Sequence, residues 1–252
     1  MLDVDRTHLL TRSDDQVGES DYEAYLRLIA RRAECEPLQY ITGHQEFYGL
    51  DFVVTPAVLI PRPETEFLVE RVIKLVEDAT KSPLIVDVGT GSGCIAVALA
   101  VNLPRARVIA IDVSAAALEV ARINAEHHGV GDRIEFVPGD LFEPLAIRHI
   151  ENLVDVIASN PPYVNDGSLI QREVMDWEPR KALFGGVDGM EFYRRLLADG
   201  LKYVRPGGYL AFEIGYGQLD AIRGMIAALR WELVDVVNDL QGIPRTVTVI
   251  DI

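Results

Sequence analysis

The sequence predicts an α/β fold built on a mostly parallel seven-stranded sheet whose last strand is antiparallel, preceded by a small helical N-terminal domain. Two observations carry this. From residue 82 onward, short apolar runs alternate with helical stretches, the pattern of successive βαβ units. The last two runs lie too close together for a helix between them, so they pair as an antiparallel hairpin at the sheet edge.

The elements follow in chain order. Tyr22, Tyr25, Leu26 and Ile29 recur at i, i+3, i+4 and i+7 and mark a helix within residues 1–45. Residues 13–19 are polar and read as a loop or a disordered stretch. Residues 46–60 alternate around Phe47, Tyr48, Phe52, Val53 and Val54, with Gly49 as the turn, and read as a hairpin. In Pro61-Arg62-Pro63-Glu64-Thr65-Glu66 the prolines hold an extended approach and Pro63 opens a helix. Glu64 and Glu66 complement the dipole of its first turn, and Phe67, Leu68, Val72, Ile73 and Leu75-Val76 supply its apolar face. Helix initiation explains all of these residue types except Arg62, so this segment receives no catalytic role and is expected at most to line the substrate cleft. Residues 46–81 therefore read as a hairpin linker and helix, and residues 82–252 as the sheet domain. Its strands are expected at 84–88, 108–111, 134–137, 153–158, 209–214, 232–237 and 246–250.

Composition narrows the class. A chain of 252 residues, 49% hydrophobic, holds one large domain, alone or with a small one, and buries a substantial core. Asp3, Asp5, Arg6, Arg12, Asp14 and Asp15 break the N-terminus, which has no apolar signal region. No uncharged apolar run reaches the roughly 18 residues of a membrane span. Cys35 and Cys94 are too few for a disulfide framework and fit a reducing cytoplasm. Cys94 is expected to pack as a small apolar residue within a helix. The five histidines are scattered, apart from His127-His128, and form no metal-ligand spacing.

The chemistry lies in four places. First, Leu84-Ile85-Val86-Asp87-Val88 runs into Gly89-Thr90-Gly91-Ser92-Gly93, and then into a helix from Cys94. Strand, glycine turn and helix make the first half of a nucleotide-binding βαβ unit. The spacing is G-x-G-x-G, so it departs from the dinucleotide fingerprint. Asp87, two residues before the first glycine, would repel a pyrophosphate and attract an ammonium or sulfonium. A turn with no ligand is the plainer reading of the same glycines.

Second, the strand at 108–111 ends on Asp112, about twenty residues past the glycines, where a carboxylate accepts both ribose hydroxyl protons. The competing role, capping the helix over 115–127, is better filled by Ser114. Third, Gly139-Asp140-Leu141-Phe142 follows the next strand. Asp140 is placed to take an adenine amino group, with Leu141 or Phe142 against the ring, and is equally well read as an ordinary loop acid.

Fourth, Asn160-Pro161-Pro162-Tyr163 follows the strand at 153–158. Ligands of open α/β sheets bind at the carboxyl edge of the strands. There the Asn160 side-chain oxygen and the Pro161 carbonyl can each accept one N–H of a planar NH2 group, while Tyr163 covers its face. Neither Pro161 nor Pro162 offers a competing backbone donor. This arrangement suits methyl transfer to a poorly nucleophilic sp2 nitrogen. A strand followed by a tight Pro-Pro turn accounts for the same residues without chemistry.

Taken together, Asp87-x-Gly89-x-Gly91-x-Gly93, Asp112, Asp140 and Asn160-Pro161-Pro162-Tyr163 resemble an S-adenosylmethionine-dependent amino-methyltransferase. Two further stretches are similar to the peptide-chain release factor glutamine N5-methyltransferases. One is Glu36-Pro37-Leu38-Gln39-Tyr40-Ile41-Thr42-Gly43 with Glu46-Phe47-Tyr48-Gly49; the other is Leu59-Ile60-Pro61-Arg62-Pro63-Glu64-Thr65-Glu66. The resemblance runs from about residue 22 to the C-terminus. Beside that family the N-terminal segment is short by a helix or more, so residues 1–45 are expected to be a shortened substrate-recognition domain.

The resemblance implies a Rossmann-like methyltransferase. S-adenosylmethionine lies over Gly89, Thr90, Gly91, Ser92 and Gly93, with Asp112 on its ribose, Asp140 and Leu141 at its adenine, and its methyl facing Asn160; S-adenosylhomocysteine is the product. Asn160, Pro161, Pro162 and Tyr163 hold the substrate, the glutamine of a release-factor Gly-Gly-Gln loop. The related glutamine methyltransferase of a ribosomal protein usually differs at Pro61-Arg62-Pro63-Glu64-Thr65-Glu66. Enzymes that methylate adenine N6 in nucleic acid share Asn-Pro-Pro-Tyr, and a net charge of −15 speaks against them. An acidic enzyme facing a basic protein substrate is electrostatically sensible. A cytoplasmic monomer without membrane or direct nucleic-acid contact is expected.

Overall fold

The computed structural model describes residue 4 and residues 6–77 and 82–252. Three helices come first: α1 (Arg6–Thr11), α2 (Glu19–Ala33) and α3 (Leu38–Thr42). Helix α2 is the one the apolar stripe predicts, with Glu19 and Asp21 in its first turn and Arg31 and Arg32 in its last, each favoured by the helix dipole. Its stripe is nevertheless 44–55% exposed at Tyr22, Tyr25, Leu26 and Ile29. Periodicity reveals an apolar face and is silent on what covers it. The helix is tied down at its C-terminal end, where Arg31 makes a two-pronged contact to the buried Glu36 at 2.7 and 2.5 Å.

The expected hairpin forms as β1 (His44–Phe47) and β2 (Leu50–Val53), with Phe47 opposite Leu50 across the Tyr48-Gly49 turn. A 3-10 turn at Pro63–Thr65 then leads into α4 (Glu66–Val76). The described part of the segment 46–81, residues 46–77, is built into the core. Phe47, Phe52, Leu68, Val69 and Val72 share one buried cluster with Ile85 and Leu99 of the sheet domain. Residues 78–81, the end of that expected linker, lie outside the described residues.

All seven predicted strands are present: β3 (Leu84–Val88), β4 (Arg107–Asp112), β5 (Ile134–Pro138), β6 (Val154–Ser159), β7 (Val204–Glu213), β8 (Trp231–Asn238) and β9 (Pro244–Asp251). They lie in the order β5-β4-β3-β6-β7-β9-β8. Strand β9 is antiparallel to both neighbours and sits between β7 and β8, so the final hairpin closes one side of the sheet. β7 begins earlier than its apolar run because Pro206-Gly207-Gly208, a turn signal in sequence, is absorbed as a register shift opposite Val154 and Val156.

Helices α5 (Cys94–Asn102), α6 (Ala115–His127), α7 (Glu143–Ile147), α8 (Arg172–Trp177), α9 (Arg180–Leu183), α10 (Glu191–Gly200) and α11 (Leu219–Ala227) complete the fold. Because side chains alternate along a strand, Ile85 packs toward α4 and α5 while Val86 and Val88 join Tyr193, Leu196 and Ile222 on the other face. Helix α5 is apolar on every side, and Cys94 through Ala100 are all buried, as its position between sheet and neighbouring helices requires.

Candidate active site

The parallel register brings the four motifs to one edge. Val88 pairs with Ile111 on one side and Ser159 on the other, and Asp112 pairs with Pro138. The glycine turn, Asp112, Asp140 and Asn160 therefore leave neighbouring strands at the same level.

The glycine turn is held by its neighbours. Gly89 and Thr90 donate their N–H groups to the Ile111 carbonyl at 2.8 and 3.0 Å. Asp112 accepts from Gly91 N through Oδ2 and from Ser114 N through Oδ1, both at 2.9 Å. With the Val113 N–H as a third backbone donor, the carboxylate keeps only part of its acceptor capacity for a hydroxyl. Burial raises the Asp112 pKa against the pull of those backbone donors. Ser114 Oγ accepts from Ala117 N at 3.2 Å and caps α6, which frees Asp112 from that duty.

Two glycines show why the turn needs that residue type. Gly91 has φ +55, and nothing lies within 4 Å of where a Cβ would stand, so the backbone fronts open space. Gly93, at φ +80, would place a Cβ 3.0 Å from the Ala121 Cβ, so it sets the approach of α5 to α6. The open face above the turn and the unused acceptors of Asp112 fit an adenosyl cofactor.

Asp87 needs a correction. Its side chain is fully buried beneath the turn, where Thr90 Oγ1 donates to Oδ2 at 2.6 Å. It therefore braces the turn and presents no surface to an ammonium or sulfonium. Burial pushes its pKa up to about 7, and Oδ1 is buried without a hydrogen-bond partner.

At the third motif, Asp140 accepts from Arg195 Nη2 of α10 at 2.6 Å, and Leu141 is buried at φ +47. Phe142 is buried and stacked on Tyr203, with ring centroids 5.2 Å apart, and Leu141 belongs to the same buried cluster without taking part in that ring stack. Asn124 of α6 went unnoticed in the sequence. Its amide donates to the Ser92 carbonyl at 2.8 Å and brackets Val53 N and O, tying the hairpin to the turn.

Asn160 sits in a different kind of setting. Its Nδ2 donates to Thr65 Oγ1 at 3.0 Å, and Thr65 Oγ1 donates to Glu213 Oε2 at 2.6 Å. Tyr163 OH donates to the other carboxylate oxygen at 3.3 Å. Thr65 and Glu213 are both 1% exposed. Burial pushes Glu213 up to about 7, opposed by Thr65, Tyr163 and Arg245. The Tyr163 carbonyl accepts from Gln218 Nε2 at 3.0 Å. Behind the two prolines runs the segment from Leu183, bridged in parallel at Val164 and Phe184; a Cβ on Gly185 would lie 2.5 Å from the Pro162 carbonyl.

A cleft of 360 Å³ opens beside Asn160, lined by Arg62, Pro161, Tyr163 and Leu169 among others. Arg62, the residue that helix initiation left unexplained, donates to the buried Glu178 at 2.5 Å, and Glu178 also accepts from Ile60 N at 3.2 Å. This pair pins the strap carrying Thr65 against the cleft. Sequence reasoning missed Thr65, Glu213 and Gln218. One signal was available: Glu213 is a lone acid in the apolar run Leu210-Ala211-Phe212-Glu213-Ile214.

Fold and site together define a Rossmann-like methyltransferase with Asn-Pro-Pro-Tyr at the carboxyl edge of its sheet. Residues 63–176 match the methyltransferase small domain, and residues 1–43 match the PrmC N-terminal domain. A methyltransferase from Pyrococcus furiosus shares the fold, with a TM-score of 0.57 at 20% identity over 90% of this chain and 98% of that one. The chain is 44% identical over 248 residues to the release factor glutamine methyltransferase of Geobacter sulfurreducens, covering 98% of this chain and 84% of that protein. Identity to the enzyme of that name from Koribacter versatilis is also 44%, over 98% and 86%. The chain belongs to the release factor glutamine methyltransferase family, as its motifs led us to expect. Its methyl donor is S-adenosylmethionine.

Proposed function

We propose that this protein methylates the side-chain amide nitrogen of the glutamine in the Gly-Gly-Gln loop of peptide-chain release factors. The observation that carries this reading is the placement of Asn160-Pro161 at the tip of β6, one strand from the glycine turn of β3 and in register with it. A methyl held over the turn and an amide held by Asn160 are then within reach of each other. S-adenosylmethionine, when bound, supplies a methyl activated by its sulfonium.

The chain's own residues do the rest. The Gly89-Thr90-Gly91-Ser92-Gly93 backbone lets the donor approach, Asp112 accepts from the ribose hydroxyls, and Asp140 with Leu141 bounds the adenine. Asn160 Oδ1 and the Pro161 carbonyl accept the two N–H bonds of the incoming amide. Those bonds strengthen as positive charge develops on nitrogen, which is where the transition state is favoured over the ground state. Pro162 offers no competing donor, and Tyr163 covers the amide face. The methylated amide cation is strongly acidic and releases its proton to water.

In this reading residues 1–45 recognise the substrate, residues 46–81 bring Thr65 to the site, and residues 82–252 carry the cofactor. The protein acts as a cytoplasmic monomer whose net charge of −15 faces a basic protein. Among the described residues, no helix is long and apolar enough to cross a membrane.

The test is incubation of the protein with labelled S-adenosylmethionine and purified release factor, with ribosomes and DNA in parallel. Label is expected on the release factor alone and is expected to vanish when the loop glutamine is replaced by glutamate, which lacks the nucleophilic nitrogen. A methyl group retained on the glutamate form, or label on DNA or a ribosomal protein in place of release factor, would overturn the reading.

A further inference from the structure

We infer that Thr65 and Glu213 determine which way the Asn160 amide points, and that adding one proton to Glu213 reverses it. The inference rests on the reading above, in which Asn160 Oδ1 is the group that receives the substrate N–H. An asparagine amide presents a different group at each end, and a half-turn about its last side-chain bond exchanges acceptor for donor. At this site that choice decides whether a substrate NH2 meets an oxygen or another NH2.

The polarity follows from counting protons. Asn160, Thr65 and Glu213 form a chain of contacts at 3.0 and 2.6 Å. A threonine hydroxyl has one proton to donate, and an ionised carboxylate only accepts. With Glu213 ionised, the Thr65 proton goes to Oε2, and the Thr65 oxygen then needs a donor from Asn160. Only Nδ2 supplies one, so Oδ1 is turned toward the cleft.

A proton on Glu213 Oε2 inverts every link. The acid donates to Thr65, the Thr65 proton turns to Asn160, and only Oδ1 can receive it. The amide NH2 then faces the cleft and opposes the substrate NH2. Thr65 and Glu213 are each 1% exposed, so water cannot substitute for either partner.

The groups facing Glu213 come from several elements. Arg245 of β9 favours the carboxylate, whereas Glu64 disfavours it. Tyr163 donates to Oε1. Burial, with a smaller contribution from Glu213, raises the pKa values of Tyr163, Tyr193 and Cys94, and Arg62 opposes the shift at Tyr163. Burial is the largest influence and pushes Glu213 up to about 7, so the reversal falls within an accessible pH range.

Four single variants of the full chain, Thr65→Val, Thr65→Ser, Glu213→Gln and Asn160→Ala, and the Thr65→Val/Asn160→Ala double variant test this. They are assayed for methyl transfer to release factor and, by calorimetry, for S-adenosylmethionine binding. Loss of the hydroxyl in Thr65→Val is expected to lower kcat on the order of tenfold, the scale of one lost hydrogen bond, with cofactor Kd essentially unchanged. Thr65→Ser, which keeps the hydroxyl, is expected to restore most of the rate. In the Asn160→Ala background Thr65→Val should cause no further loss, whereas a merely structural role would lower the rate equally in both backgrounds.

The wild-type kcat is expected to rise with pH, reach half its maximum near 7 and level off above that, because the ionised form of Glu213 is the productive one. Glu213→Gln should abolish that step. A second readout is independent of turnover and of Thr65→Val folding. In the cofactor-free protein, the Asn160 side-chain 15N–1H resonances should shift through the same pH range and stay fixed in Glu213→Gln.

A slow Asn160→Ala together with a normal, folded Thr65→Val would overturn the relay and leave the amide reading standing. A normal Asn160→Ala would overturn both. Asn160 resonances that do not respond to pH in the wild type would overturn the reversal.

Discussion

The two halves of the active-site edge solve a similar problem over very different spans of chain. On the cofactor side, the buried carboxylate Asp87 is held by a threonine three residues away, and Asp112 binds the turn and its own Ser114. On the amide side, the buried carboxylate Glu213 is held by a threonine 148 residues away, and that threonine holds an asparagine 95 residues from itself. The glycine turn is thus held by partners 3 to 21 positions apart in the chain. Aiming a single amide depends on the final packing of three separate segments. Damage to the first half should appear in affinity, and damage to the second in rate.

The largest effect that sharpens this contrast is expected for Asn160→Ala. Removing one preorganised hydrogen bond to developing charge should slow methyl transfer at least about 100-fold, while S-adenosylmethionine affinity changes much less. Single-turnover kinetics with calorimetry separate the two; a weakened cofactor with an intact rate would erase the distinction between the halves.

Asp112→Ala should do the opposite. Loss of a charged acceptor for two hydroxyls is expected to weaken S-adenosylmethionine binding by about 1.5–3 kcal/mol. At saturating cofactor the rate should recover. Unchanged affinity in a titration would remove Asp112 from the ribose site.

A smaller change is expected for Gly185→Ala. The added Cβ would stand 2.5 Å from the Pro162 carbonyl, so the Asn-Pro-Pro-Tyr segment must shift. A displacement of this kind should lower kcat on the order of tenfold, because amide alignment is sensitive to small misplacement. Cofactor binding should stay near wild type, and a crystal structure showing Pro162 unmoved would refute the steric account.

In stability the two halves behave alike. Asp87 and Glu213 both have pKa values raised by burial to about 7 in the folded protein. The folded state therefore binds more protons than the unfolded chain between the ordinary carboxylate range and about pH 7. Their contribution is fully present below about pH 4 and is lost as pH rises through 7. Thermal melts of the cofactor-free protein should show this component of Tm falling over that window. Asp87→Asn should flatten part of the slope, and a melt that steepens on substitution would contradict the assignment.

The strands and the helix after the glycine turn were legible because each reports on its own neighbourhood. Apolar runs of strand length, glycines where φ must be positive and a serine cap are local devices. The exposed stripe of α2 shows the limit of that reading. Tyr22, Tyr25, Leu26 and Ile29 announce a helix, while whether another layer covers them depends on elements elsewhere in the chain. Phe142 shows the same limit: it reads as a ring partner in sequence but is stacked on Tyr203, 61 positions along the chain.

The sequence by itself determined the class of fold, the glycine turn at the strand edge and the Asn-Pro-Pro-Tyr tetrapeptide, because each is encoded in a few contiguous residues with restricted backbone or chemistry. Tertiary structure alone decided that Asp87 lies beneath the turn, that Arg62 pairs with Glu178, and that Thr65 and Glu213 govern Asn160. The physical reason is burial. A carboxylate in an apolar strand has no meaning in sequence until packing removes its water and supplies its partners. Only the folded chain brings β6, β7 and the strap before α4 close enough for a hydroxyl proton to have one place to go.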